Sequence, residues 1–74
     1  MRTMKEIGEF IARERKRQGI TQLQLSQAVN MGRRFIVELE SGKPTIQAEK
    51  MLKVMNALGI ELNLAEPKGY EYDI

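Results

Sequence analysis

Arg33 and Arg34 stand side by side where a short apolar-periodic stretch, Arg33–Glu40, begins. Arginine presents a planar fork of donors that pairs bidentately with guanine O6 and N7, with roughly 1–3 kcal/mol of discrimination per good contact. Two cations at the start of a helix are poorly placed for the helix itself, because its dipole opposes them by roughly a few tenths of a kcal/mol. An anion from outside the chain resolves that conflict. Gln22 opens the preceding helical stretch, where a side-chain amide and free backbone N–H groups suit a phosphate. The chemistry outlined is that of an exposed helix entering the major groove of DNA, N-terminus first.

Other chemistries lack their residues. The 74-residue chain has no His and no Cys, which removes the commonest general base, thiolate metal sites and disulfides. No nucleophile–base pair stands out, and Glu38 and Glu40, two positions apart, diverge on a helix. The expectation is a non-enzymatic protein without metal or cofactor. No apolar run approaches spanning length, and the N-terminus lacks a signal-peptide core, so a cytoplasmic location is expected. Residues 1–59 carry 11 Lys+Arg against 6 Asp+Glu, while residues 60–74 carry one Lys against four acids. A basic body with an acidic tail fits a polyanionic partner for the body.

The elements that must position the arginines are helical. Thr3–Gln18 places Met4, Ile7, Phe10 and Ile11 on one stripe, with Thr3 as N-cap, Glu6 as its capping-box partner and Gly19 as the stop. Its last turn, Arg13, Arg15, Lys16 and Arg17, either complements the helix dipole or meets phosphate. Thr21 caps a second helix with Leu23, Leu25, Ala28 and Val29 inward. Asn30-Met31-Gly32 forms a tight turn in which Asn accepts the left-handed conformation. The third helix buries Ile36 and Leu39 and turns Arg33, Arg34, Val37, Glu38 and Ser41 outward, ending at Gly42-Lys43-Pro44. Thr45 is expected to cap a fourth, running to about Leu58, with Ile46, Met51, Leu52, Met55 and Leu58 buried. The fold class is therefore all-α, a four-helix bundle with a helix-turn-helix at its centre.

Ile60–Leu64 departs from helical period and alternates strictly, as a strand with one apolar face does. No second strand exists in the chain to pair with it, and its own copy across a two-fold axis is the expected partner. The alternative is an irregular extension packed on the helices. The organisation expected is a helix-turn-helix domain over 1–59, a dimerisation strand over 60–66 and a loose tail over 67–74.

Thr21-Gln22, the small Ser26, Glu40-Ser41-Gly42-Lys43 and Leu58-Gly59-Ile60 resemble the lambda-repressor or Cro-like (XRE) helix-turn-helix family over residues from about 5 to 60. More narrowly, Gly32–Glu40, Gly42-Lys43-Pro44-Thr45 and Ala57-Leu58-Gly59 before a strand are similar to HipB-like antitoxins. That resemblance implies a homodimeric repressor, joined through C-terminal strands and bound to a palindromic double-stranded operator. It also implies a HipA-like serine/threonine kinase toxin as a possible partner. Carried onto this chain, it implies that Gly32, Arg33, Arg34 and Val37 face base edges while Gln22, Ser41 and Lys43 follow the phosphates. It further implies that Glu40 pairs with Arg15 as scaffold.

This chain departs from the family in having Asn30 where Gly is usual and Phe35 where a small polar residue is usual. Phe35 is expected to pack against the second helix, with a thymine methyl as the alternative contact. Glu38 is expected to be solvated or paired with Arg34, with a cytosine amine as the alternative. The competing functional readings are a module acting mainly as a toxin inhibitor and a phage-type repressor without a toxin. For the first, Tyr70, Tyr72 and Ile74 offer a tail able to fold upon binding.

Overall fold

The computed structural model describes residues 3–63. Four helices follow in order: α1 (Met4–Arg17), α2 (Gln22–Ala28), α3 (Arg33–Ser41) and α4 (Ala48–Ala57). The helix α3 packs on α1 and α2, and α2 also meets α4. Ile11, Leu25, Ile36, Leu39, Val54, Met55 and Leu58 form the shared core.

Local chemistry sets the boundaries. Thr3 caps α1 by accepting from the Glu6 N–H at 3.1 Å, and the Glu6 carboxylate accepts from the Thr3 hydroxyl. Thr21 and Gln24 exchange backbone-to-side-chain bonds at 3.0 and 2.9 Å, a reciprocal box that starts α2. Every helix closes by one device, a 6→1 backbone bond past a residue of positive φ. The donors are the N–H groups of Ile20, Met31, Lys43 and Ile60, reaching Arg15 O, Ser26 O, Glu38 O and Met55 O. At the α2–α3 turn the positive-φ residue is Asn30 (φ 56°), which its short polar side chain tolerates. Met31, next in the turn, packs against the core.

Two glycines set how closely α1 and α3 cross. A Cβ on Gly8 would overlap Leu39 O and lie 2.8 Å from Glu40 O, so the α1 backbone rests directly on the last turn of α3. Gly42 ends α3 at φ 85°, and a Cβ there would sit 2.6 Å from Lys5 Cα. At the far end of α1, the Gln18 amide donates to Leu58 O at 2.7 Å and ties that helix to the end of α4.

Several expectations are corrected. Thr45 does not cap α4; the helix starts at Ala48 with Gln47 at the N-cap position and no side-chain cap bond. The start therefore lies two residues later than expected, and the buried stripe differs as well: Val54 is buried and Leu52 is 40 % exposed. Leu23 likewise faces outward, because two residues before the buried Leu25 it projects to the opposite side of α2. Residues 60–63 form no strand. Strand geometry is held by a hydrogen-bonded neighbour, and no described segment offers one. Ile60 packs on the core while Leu62 is exposed, and Leu64 and the tail beyond it lie outside the described residues.

Gly8→Ala places a methyl against backbone that cannot rotate aside. It is expected to cost about 1–3 kcal/mol, as overpacking does, with the loss read from urea denaturation. A variant as stable as the parent would show that the α1–α3 crossing has room for a methyl group.

Candidate nucleic-acid interface

Around α3, one buried polar network fixes the inward face and leaves the outward face free. The Arg15 guanidinium meets Glu40 side-on, Nε donating to Oε2 at 2.6 Å and Nη2 to Oε1 at 3.0 Å. Its remaining Nη1 donates to Ile20 O at 2.8 Å. Gln22 Nε2 donates to Glu40 Oε1 at 3.1 Å. The Arg15 and Glu40 side chains are only 9 % and 7 % exposed, and no buried side-chain polar atom among the described residues lacks a partner. One guanidinium thus joins α1, the α1–α2 loop and α3, and the carboxylate recruits α2.

Of the residues expected to face DNA, Arg34 and Val37 turn away from the buried Ile36 and Leu39, Arg33 stands two turns before Glu40 on nearly the same side of the helix, and Gln22 belongs to α2. Arg33 and Arg34 are exposed at its first turn, and Val37 is exposed one turn later. Gly32 is the N-cap, with no side-chain hydrogen bond covering the first N–H groups. Its φ of −68° suits any residue, and a Cβ built on it meets nothing within 4 Å. The fold itself therefore places no demand for glycine at position 32. Arg33 takes part in none of the ion pairs that join described residues.

The flanking residues are already engaged. Ser41 donates its only hydroxyl hydrogen to Glu38 O at 2.8 Å, and Lys43 Nζ donates to Glu38 Oε2. Gln22 has one amide hydrogen on Glu40 and a second left for an outside acceptor. Arg34 Nε donates to the other Glu38 oxygen at 3.2 Å. The hydrogen-bonded Lys43 ammonium, assisted by Arg34, holds the Glu38 carboxyl below the usual carboxylate range against a smaller opposing effect of burial. Glu38 is thus paired with Arg34, as expected, and with Lys43, which the linear sequence does not reveal.

The basic end of α1 also resolves into separate roles. Arg15 is scaffold, Arg17 pairs with Glu14 at 2.7 Å, and Arg13 lies over the Phe10 ring at 5.9 Å. Lys16 joins none of these pairs and lines an open trough of about 700 Å³ that also carries Arg33 and the start of α2. Lys16 and Arg33 make that trough basic, and sequence position alone did not separate Lys16 from its neighbours. Phe35 is half-buried and packed against the core, with Lys50 Nζ 5.9 Å from its ring centroid, in keeping with the packing role expected of it. No helix among the described residues is long and apolar enough to cross a membrane.

Comparison with known proteins agrees with this architecture. Residues 11–64 match the family described as Helix-turn-helix (HTH_3). The chain is also 39 % identical over 67 residues to the uncharacterized HTH-type transcriptional regulator y4mF of Sinorhizobium fredii, covering 90 % of this chain and 88 % of that protein.

Glu40→Ala leaves the Arg15 charge buried without its partner and should cost about 3–5 kcal/mol. Thermal or urea unfolding monitored by circular dichroism measures it. An unchanged melting curve would show that the pair does not hold α3.

Proposed function

The chain belongs to the helix-turn-helix family, and from that premise we propose that it is a DNA-binding transcriptional regulator, a repressor acting as a homodimer on a palindromic operator. One observation carries the proposal. The helix α3 is clamped on its inner face while its N-terminus presents Gly32, Arg33 and Arg34 to solvent without a side-chain cap. A glycine that the fold does not require, next to two arginines that the helix dipole disfavours, fits the close approach of a duplex. In this arrangement Gly32, Arg33, Arg34 and Val37 meet base edges, and Gln22, Ser41 and Lys43 meet phosphates. Lys16, on the trough beside Arg33, joins the phosphate set. For Ser41 the hydroxyl must first turn away from Glu38 O, which a phosphate oxygen repays with a charge-assisted bond.

One recognition helix reads only a few base pairs, and a two-fold dimer doubles the site with half-sites about one helical turn apart. We assign the dimer contact to Ile60–Leu64. Its support is the strictly alternating sequence, the exposed Leu62 beside a packed Ile60, and the exposed Leu52 on α4. The same segment supports the domain division at residue 59. The antitoxin role, with a HipA-like kinase toxin as partner, rests on the likeness of Gly32–Glu40 and of the Ala57-Leu58-Gly59 ending to that family.

On a duplex selected by the parent protein from a random-sequence pool, Arg33→Ala with Arg34→Ala should lose sequence discrimination, about 1–3 kcal/mol for each good contact removed. Circular dichroism should show an unchanged fold. A double variant that still protects the same palindrome in footprinting would refute the assignment of α3. Sizing by light scattering tests the dimer: the full chain should run as a dimer, and a chain ending at Ile60, which keeps the Ile60 N–H bond to Met55 O, as a folded monomer. A truncated chain that remains a dimer would place the contact elsewhere, and a full chain that is monomeric would refute the dimer.

A further inference from the structure

Two cations converge on the single carboxylate of Glu38, and they meet it differently. Lys43 Nζ donates one of its three hydrogens to Oε2. Arg34 binds Oε1 through Nε alone, at 3.2 Å, and its side chain remains 91 % exposed. A guanidinium held at Nε keeps its two terminal nitrogens, Nη1 and Nη2, unused and side by side. Those two nitrogens form the end-on fork that pairs with guanine O6 and N7. A free arginine side chain carries considerable rotamer entropy, part of which is lost when it docks on a base. A carboxylate four residues away on the same helix face removes part of that cost beforehand.

We propose that Glu38 is a positioning residue for DNA reading: it holds Arg34 by Nε so that the Nη fork points outward for a guanine, while Lys43 offsets the charge that Glu38 would otherwise set against the phosphates. This rests on the assignment of α3 to the major groove and deepens it. Arg33 has no such carboxylate among the described residues, so the two neighbouring arginines are not equivalent. Arg34 is the preorganised base reader. Arg33, on the basic trough with Lys16, is freer to settle on backbone or base. Glu38 therefore sets sequence preference at one base pair of each half-site without touching the DNA itself.

The test compares base preference with general affinity. Each variant is selected on the same randomised duplex pool, and binding to a scrambled 20-base-pair duplex is measured in parallel by fluorescence anisotropy. The parent should enrich one guanine that Arg34→Ala no longer enriches. Glu38→Ala should lower that preference at least threefold while scrambled-duplex affinity holds or rises, because a negative charge has been removed. Glu38→Gln should restore much of the preference, since its amide oxygen still accepts from Nε; a merely structural role would not give this pattern, and the melting temperatures provide the check on stability. Glu38→Ala with the parent's full guanine preference would overturn the proposal and leave the α3 assignment standing. So would Glu38→Gln as deficient as Glu38→Ala. A parent protein with no base preference, or no duplex binding, would overturn both.

Discussion

The side-on pair of Arg15 and Glu40 is the constraint on which the rest of the structure depends. Hydrophobic contacts hold α3 against α1 and α2, but apolar packing tolerates small rotations of a two-and-a-half-turn helix. A carboxylate that must meet Nε and Nη2 of one guanidinium and an amide of a second helix tolerates far less. The angular position of α3 is fixed by that geometry, and with it the direction in which Arg33, Arg34 and Val37 face. Burial of two charges brings little net stability compared with an apolar pair of similar shape. Its value here is directional, which suits a helix whose outward face must be aimed.

The network works only because the backbones approach closely. Gly8 lets α1 lie on the carbonyls of Leu39 and Glu40, and Gly42 turns the chain away from Lys5 immediately afterwards. A side chain at either position would lift α3 off α1 and lengthen the Arg15–Glu40 contact. The Ile20 carbonyl that takes Nη1 is delivered by the same 6→1 closure that ends α1. Termination of one helix and orientation of another are thus served by the same four residues, Arg15, Gly19, Ile20 and Glu40.

How much of this was legible in the sequence depends on whether the signal is local. Caps and turns at Thr3, Thr21, Asn30 and Gly42 are encoded within four or five residues, and their positions follow from residue type. The partnership of Arg15 with Glu40 spans 25 positions and was visible only through family likeness. The role of Gly8 is not legible at all, because no local pattern distinguishes a glycine beneath a crossing helix from one facing water. Leu52, expected to be buried, is exposed, and Val54 is buried. An apolar-rich segment such as Met51–Met55 offers two overlapping stripes, and packing on the other helices, which no local pattern records, selects between them. The alternation of Ile60–Leu64 was legible as pattern, but a pattern describes a strand only when a second strand lies beside it.

The same dependence on angle explains the arrangement of charge on α3. Glu38 and Glu40 are two residues apart and so project about 200° from one another on the helix. Because Glu40 is drawn into the protein by Arg15, Glu38 is carried onto the outward side, within reach of Arg34 one turn before it and of Lys43 beyond the end of the helix. A rotation of α3 that moved Glu40 off Arg15 would also swing Glu38 and Arg34 away from the face they now share. The inner pair and the outer cluster are therefore one angular choice seen from two sides. A loss of the inner pair should disorder the outward arginines even where the helix itself survives.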